Sequence, residues 1–386
     1  MYDVCIIGGG AAGMVCAVTA ASRGKSVVII EKNQALGKKI CATGNGRCNI
    51  SNSNCENAAK VLAFFNSLGL VTKTEDEGRI YPASNQAADV VFLLEKRLNA
   101  LGVQVMCGCA ADWAAKKKNG FEVSCASRQI SCRSLVLAAG GKAAPQFGTT
   151  GDGYSLALSL GHSISKPIPV LTAIETVEDI SHLKGVRVAA ECSLIRKGET
   201  VFRETGEVQF TDYGLSGICI FNMSRHLLLS EDIEFTDYKV RLDFGEPFFQ
   251  RSARSDFLKM LKDRPGMPGF RNKDLLRSIV PQALAKDIVI RAGMDPVQIQ
   301  TGNMTDIMNS FCNWTVTVKG AKGWKMAQCT KGGVVLDEID METMESKMCS
   351  GLYLAGELID YDGPCGGYNL YSAWLTGIRA GEAAAG

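Results

Sequence analysis

Long apolar runs and clustered charge are both missing from this chain of 386 residues. No stretch approaches the ~20 apolar residues that cross a bilayer, so we expect no membrane insertion. The 42 basic and 40 acidic side chains are scattered along the chain. The longest basic run, residues 116–118, precedes Asn119-Gly120 and is typical of a hairpin turn. The composition therefore gives no reason to expect a nucleic-acid partner, and it does not indicate an oligomeric state.

Metal-binding and export patterns are absent as well. The chain has three histidines, and none of its 15 cysteines forms a C-x-x-C pair; the closest two are Cys107 and Cys109. This spacing argues against zinc and iron–sulfur sites, so we expect no metal. The N-terminus lacks a basic segment and carries Asp3 instead, which is unlike a signal peptide. We therefore predict a cytoplasmic protein whose cysteines remain free thiols.

The N-terminus does carry a β-α-β pattern. Residues 2–7 form a continuous apolar strand, residues 8–13 read GGGAAG, residues 14–23 have helical spacing, and residues 26–30 form a second strand before Glu31. A G-x-G-x-x-G motif between a strand and a helix, with an acidic residue at the end of the next strand, predicts a dinucleotide site.

Each part of that motif has a physical role. Gly8 permits a tight turn, Gly10 lets a pyrophosphate approach the backbone, and Gly13 allows close packing of helix and strand. The helix N-terminus offers free N–H groups to phosphates. Glu31 can accept hydrogen bonds from ribose hydroxyls.

The remainder of the sequence predicts a discontinuous architecture. Helices are expected at 85–101, from 148–153 to Gly161 and at 368–385, and strands at 102–108, 109–115, 121–126, 129–131, 135–139, 314–319, 325–335 and 351–357. Alternating segments over 166–245 indicate an antiparallel β domain, and 248–311 is expected to be helical. We predict a dinucleotide domain from 1–165 plus 336–386, a β domain from 166–247 plus 312–335, and a helical insert at 248–311.

NAD or FAD could occupy the first β-α-β unit, and three features favour FAD. The motif lies at the N-terminus, a second apolar strand ends in LAAGG at 137–141, and a third at 351–357 leads into a loop and helix. N–H groups at that last helix could stabilise the reduced ring. A second G-x-G-x-x-G unit is missing, so NAD(P)H, if it is the reductant, is expected to bind transiently over the flavin.

Further sequence blocks carry a family resemblance. They read GKKI at 37–40, TGNGRCN at 43–49, GRIYP at 78–82, TGDGY at 150–154, FTDYGLSG at 210–217, TMESK at 343–347, GELID at 356–360 and GGYNL at 366–370. The chain resembles the BaiN/YhiN-type bacterial flavoproteins, which include 3-dehydro-bile acid reductase-like and aminoacetone oxidase-like proteins. The resemblance implies an α/β fold: a Rossmann-like two-dinucleotide-binding domain with noncovalent FAD, an inserted antiparallel β-barrel-like domain and a small helical domain.

The resemblance also implies a set of FAD-binding residues. They are Gly8, Gly10, Ala11, Ala12, Gly13, Glu31, Lys32, Lys39, Thr43, Gly44, Gly46, Arg47, Cys48, Ala111, Ala139, Gly140, Gly356, Glu357, Asn369 and Leu370. The catalytic candidates are Arg47, as a cation for phosphate or a substrate carboxylate, and Tyr213 and Tyr368, as proton donors.

The chain departs from its relatives at several of these blocks. Relatives usually have Gly at Asn45, Val at Ala111, His at Asp212, Pro at Ile218 and Thr at Cys365. An anionic Asp212 could not donate a proton as His⁺ does unless burial raised its pKa.

Three functions follow as expectations. The leading one is a reductase in which NAD(P)H reduces FAD and flavin N5 passes hydride to the C=C of an enone, such as a 3-oxo-Δ4 bile acid. The second is an oxidase of a small amine such as aminoacetone, which produces H2O2. The third is a flavin-binding RNA-associated or redox-sensing protein with little turnover.

Overall fold

The computed structural model describes residues 1–126, 128–227, 233–249, 254–299 and 304–386. The chain divides into two compact units. Unit 1 comprises Met1–Pro169 and Ala327–Gly386, and unit 2 comprises Val170–Met326. Both predicted middle segments, 166–245 and 248–311, run partly outside the described residues.

Elements are numbered in chain order. Residues 1–170 contain β1 (Tyr2–Ile7), α1 (Ala11–Ser22), β2 (Val27–Glu31), α2 (Lys38–Ala42), β3 (Ser51–Asn52), α3 (Ala58–Ser67), β4 (Thr72–Thr74), β5 (Arg79–Pro82), α4 (Ala87–Ala100), β6 (Gln104–Cys107), β7 (Ala111–Lys117), β8 (Gly120–Cys125), β9 (Arg128–Leu137), α5 (Asp152–Ser159) and β10 (Ile168–Val170). Residues 171–326 contain β11 (Ile174–Thr176), β12 (Arg187–Arg196), β13 (Glu199–Phe210), β14 (Gly214–Ser216), α6 (Ile218–Ser224), β15 (Tyr238–Asp243), α7 (Glu246–Phe249), α8 (Arg254–Asp263), α9 (Gln282–Arg291), α10 (Met304–Cys312) and β16 (Trp314–Ala321). The chain ends with β17 (Cys329–Lys331), β18 (Leu352–Leu354) and α11 (Tyr368–Ala384).

The main sheet of unit 1 has the order β6-β2-β1-β9-β8-β7, with β18 also paired to β9. Strands β6, β2, β1, β9 and β18 run parallel, and the apolar residues of β1 and β2 are almost fully buried, as expected for a sheet covered on both faces. Ile7 is in register with Ile30 and Leu137, and Leu137 with Leu354. The carboxyl ends of β1, β2, β9 and β18 therefore meet at one edge of the sheet.

Four predicted strands, 129–131, 135–139, 325–335 and 351–357, differ in extent from the observed ones. Segments 129–131 and 135–139 form one continuous strand, β9, which changes partners from β8 to β1 and β18 along its length. The predicted strand 325–335 shortens to β17 because Gly332 and Gly333 take positive φ values of 89° and 147°. The predicted strand 351–357 ends at Leu354, and a single 3-10 turn, Gly356–Leu358, follows it.

The expectation that every cysteine is a free thiol is wrong at one pair. Cys109 and Cys125 form a disulfide with their Cα atoms 5.7 Å apart. The cause is the β7–β8 hairpin, in which Ala111 pairs with Cys125 and so brings the preceding Cys109 alongside. Sequence spacing gives no sign of this, because the contact depends on the strand register.

Unit 2 contains a closed antiparallel barrel with the order β11-β14-β13-β12-β15-β16. Inward-facing residues alternate with more exposed ones, as in β16, where Trp314, Val316 and Val318 are buried. The buried faces of α8, α9 and α10 join the same apolar core. Among the residues that the structure describes, no helix combines the length and apolarity needed to cross a membrane, and no cluster of three metal-ligating side chains occurs.

Candidate functional site

A groove opens at the sheet edge where β1, β2, β9 and β18 end. Its wall includes many of the predicted cofactor residues. These are Gly8, Gly10, Ala11, Ala12, Glu31, Lys32, Lys39, Thr43, Ala111, Ala139, Gly140, Gly356, Glu357, Asn369 and Leu370. The groove is also lined by residues outside the predicted set, among them Asn33, Phe147, Cys329 and Tyr361.

The three motif glycines are required for different reasons. Gly8 has φ +109°, and a Cβ there would lie 2.3 Å from the carbonyl oxygen of Ala138. A Cβ on Gly13 would lie 1.9 Å from the carbonyl oxygen of Gly8, so this glycine is required for close packing of α1 against the end of β1. A Cβ on Gly10 would meet no protein atom within 4 Å. Gly10 therefore leaves open space at the N-terminus of α1, where a pyrophosphate fits.

Glu31 is fixed at the end of β2 with 7% of its surface exposed. Its Oε2 accepts a hydrogen bond of 2.7 Å from the Gly9 N–H. Its Oε1 accepts two more of 2.7 Å from the backbone and side-chain N–H groups of Asn33. A carboxylate oxygen has two acceptor positions, so Oε2 retains one for a ribose hydroxyl.

A second charged group lies near the end of β18. Lys39 Nζ is 2.5 Å from Glu357 Oε2, and both side chains are about one-fifth exposed. The Thr330 N–H donates a hydrogen bond of 2.8 Å to Glu357 Oε1. The Glu357 carboxylate is therefore held from two directions on the groove wall, where it can accept hydrogen bonds from a polyhydroxyl chain.

Lys32 closes one side of the groove. Its amino group donates to the Thr150 hydroxyl at 2.6 Å and forms an ion pair with Asp152. Burial raises the pKa of Asp152, but hydrogen bonds from Lys32 and Thr150 outweigh this effect and hold it below its ordinary value. Asp152 is the first residue of α5, which has no side-chain cap, and its carboxylate pairs with Lys32.

The loop that carries Arg47 runs through several left-handed residues, including Gly44 at φ +57° and Asn45 at φ +56°. The Arg47 guanidinium donates to Glu75 and to Asn85, at 2.5 and 2.7 Å, and its Cζ lies 4.0 Å from the centre of the Tyr81 ring. These partners place it beside the small sheet β3-β5-β4, with Gly44, Gly46 and Cys48 in the adjoining loop. Cys48 is fully buried, and burial raises the pKa of its thiol to about 12.

The predicted proton donors lie in different places. Tyr213 belongs to unit 2, where Lys322 Nζ is 4.1 Å from its ring centre. Tyr368 is half-buried at the start of α11. Asp212 is exposed, and a hydrogen bond from Lys184 holds its pKa below the ordinary value, so it is anionic at neutral pH. Tyr361 lines the groove with 37% of its surface exposed.

Close packing of α11 against α1 brings Asn369 and Leu370 to the groove. A Cβ on Gly377 would lie 2.3 Å from the Ala12 carbonyl oxygen, and one on Gly381 would lie 2.6 Å from the Cys16 carbonyl oxygen. The Asn369 side chain clamps the preceding loop, since its Oδ1 accepts from the Gly363 N–H at 2.8 Å and its Nδ2 donates to the Gly363 carbonyl at 2.9 Å. Gly377 and Gly381 are four residues apart on a predicted helix, and this spacing could have indicated the close packing of two helices.

Comparison with known proteins identifies relatives along the whole chain. The family described as "HI0933-like protein Rossmann domain" matches residues 2–62 and 57–383. A 3-dehydro-bile acid delta(4,6)-reductase from Clostridium scindens is 35% identical over 100% of this chain and 99% of its own length. A ribosomal RNA dihydrouridine synthase from Escherichia coli is 27% identical over 97% of this chain and 96% of its own length.

Solved structures support the fold. The crystal structure of 3-ketosteroid delta1-dehydrogenase from Sterolibacterium denitrificans matches with a TM-score of 0.51 at 13% identity, covering 100% of this chain and 99% of that one. The predicted fold class, a Rossmann-type domain with an antiparallel barrel, is confirmed, as is the resemblance stated above. The chain belongs to the HI0933-like protein Rossmann domain family, a family of FAD-dependent oxidoreductases.

Proposed function

We propose that this protein is an FAD-dependent reductase that uses NAD(P)H to saturate a C=C bond conjugated to a carbonyl group, with a 3-oxo-Δ4 bile acid as the first substrate to test. The observation that carries the proposal is the full-length similarity, at 35% identity, to a 3-dehydro-bile acid delta(4,6)-reductase. The dihydrouridine synthase relative supports the same bond type, because dihydrouridine is uridine whose C5=C6 bond, conjugated to a carbonyl, has been saturated.

Different residues of the groove bind different parts of FAD in this proposal. The N–H groups at the start of α1 and the open space at Gly10 hold the pyrophosphate, and Glu31 holds the adenosine ribose. Lys39 and Glu357 orient the ribityl chain. FAD held by these residues would supply the two-electron chemistry for reducing the conjugated bond.

The α carbon must gain a proton to complete the reduction. Tyr361 places a phenol on the groove wall, and a phenol is a suitable general acid for a carbanion stabilised by a neighbouring carbonyl. Asp212 is unsuited to this role because Lys184 keeps it ionised. We therefore assign the proton to Tyr361, with Tyr213 and Tyr368 as the alternatives from the sequence.

A second candidate substrate is a uracil base in RNA, favoured by the match to ribosomal RNA dihydrouridine synthases from two organisms. The charge of this chain, 42 basic against 40 acidic residues, favours the small molecule, because phosphate contacts need clustered cations.

One experiment distinguishes the two candidate substrates. Purified protein loaded with FAD is incubated without oxygen with NADH or NADPH and either a 3-oxo-Δ4 bile acid or ribosomal RNA, and mass spectrometry follows the gain of two hydrogen atoms. We expect reduction of the bile acid and none of the RNA. Reduction of RNA alone would establish the second candidate. No reduction of either, with peroxide released from amines in air, would contradict the proposal in favour of an oxidase.

A further inference from the structure

Thr330 connects parts of the groove that are distant in sequence. It lies in β17 with none of its surface exposed. Its hydroxyl oxygen accepts hydrogen bonds from the N–H groups of Lys142 and Ala143, at 2.8 and 2.9 Å. A hydroxyl oxygen has two acceptor positions, so these two bonds use its whole acceptor capacity. The turn that follows β9, and that carries Gly140, is therefore fastened to β17.

The backbone of the same residue fastens a third segment. The Thr330 N–H donates to Glu357 Oε1 at 2.8 Å, opposite the Lys39 amino group on Oε2. Gly141 packs so closely that a Cβ there would lie 2.5 Å from Thr330 Oγ1 and 3.0 Å from Glu357 Oε1. The turn after β9, β17 and the 3-10 turn of Glu357 are thus joined through one buried residue, Thr330.

We propose that Thr330 is a positioning residue for the cofactor. The Thr330 hydroxyl holds the Gly140–Ala143 turn against β17 and so fixes the orientation of the Thr330 N–H toward Glu357. The position of the Glu357 carboxylate, and hence its contact with the ribityl chain, follows from that hydrogen bond. The inference deepens the proposed function, on which it rests for the assignment of this groove to FAD. It names a residue with no part in the G-x-G-x-x-G motif.

The test compares Thr330→Val with Thr330→Ser in the full-length protein. Valine matches threonine in shape but removes the hydroxyl oxygen that accepts from the Lys142 and Ala143 N–H groups, whereas serine keeps the hydroxyl. We expect Thr330→Val to raise the FAD dissociation constant about tenfold or more and to shift the flavin reduction potential and visible spectrum, with Thr330→Ser near the wild type. If the Thr330→Val apoprotein does not fold, Thr330→Ala takes its place in the comparison. The smaller alanine leaves space in which a water molecule can accept from the exposed N–H groups.

A double-mutant cycle with Glu357→Ala, which removes the acceptor of the Thr330 N–H, separates positioning from general destabilisation. If Thr330 acts through Glu357, Thr330→Val weakens FAD binding less in the Glu357→Ala protein than in the wild type. Equal losses in both backgrounds, or an unchanged dissociation constant and spectrum in Thr330→Val, would overturn the proposal. These readouts need no substrate, so a failure to find one would count against the proposed function and leave this inference standing.

Discussion

Replacing Gly10 with valine is expected to remove FAD binding and leave the apoprotein folded. A Cβ at Gly10 meets no protein atom within 4 Å, and Gly10 has an ordinary φ of −86°, so the backbone accepts a side chain there. The change fills the space that the pyrophosphate needs and displaces charge-assisted hydrogen bonds, each worth about 1.5–3 kcal/mol. We expect FAD affinity to fall at least about 100-fold, while the free energy of unfolding falls by no more than about 1 kcal/mol through the changed helix cap.

Two further glycines provide matched controls, read by flavin fluorescence and urea denaturation. A Cβ at Gly323 would also meet no protein atom within 4 Å, and Gly323 is not among the residues that line the groove, so Gly323→Val should affect neither FAD binding nor stability. Gly13→Ala should destabilise the apoprotein itself, because its Cβ would lie 1.9 Å from the Gly8 carbonyl oxygen. Unchanged FAD affinity in Gly10→Val would place the cofactor elsewhere.

Replacing Tyr361 with phenylalanine is expected to lower turnover about 100-fold or more, the usual contribution of a positioned general acid. The ring remains and only the hydroxyl is lost, so FAD affinity and the rate of flavin reduction by NAD(P)H should match the wild type. Stopped-flow measurement of both half-reactions checks this, with the loss confined to the step that consumes the conjugated substrate.

Tyr368→Phe is the control for that loss, since Tyr368, at the start of α11, is not among the residues that line the groove. It should retain wild-type turnover. Full activity in Tyr361→Phe, combined with a loss in Tyr368→Phe or Tyr213→Phe, would contradict the assignment of Tyr361 and return the role to one of those two residues.

The sequence predicts most reliably the parts of the site that are local in the chain. Gly8, Gly10, Gly13 and Glu31 lie within one β-α-β unit, so their pattern is visible in the local sequence, whereas the close approach of Gly8 to Ala138 comes from the tertiary fold. The direction of the Arg47 side chain could not be predicted from the sequence, because its partners Glu75 and Asn85 come from segments that only the tertiary fold brings near.

Residues that join distant segments leave little trace in a single sequence. Thr330 lies 188 positions from Lys142, and no local pattern marks its hydroxyl as an acceptor for that backbone. The Cys109–Cys125 disulfide depends in the same way on hairpin register. Tyr361 directly follows the GELID block, so its place near the groove could have been inferred from its neighbours in sequence.

The measurement that tests the account most directly is anaerobic mixing of the FAD-loaded protein with NADH or NADPH, while the visible band of oxidised flavin is followed. We predict rapid bleaching with one of the two nucleotides, and recovery of the band without oxygen when a 3-oxo-Δ4 bile acid is added. Failure of both nucleotides to bleach the flavin would contradict the assignment of this protein as an NAD(P)H-driven reductase.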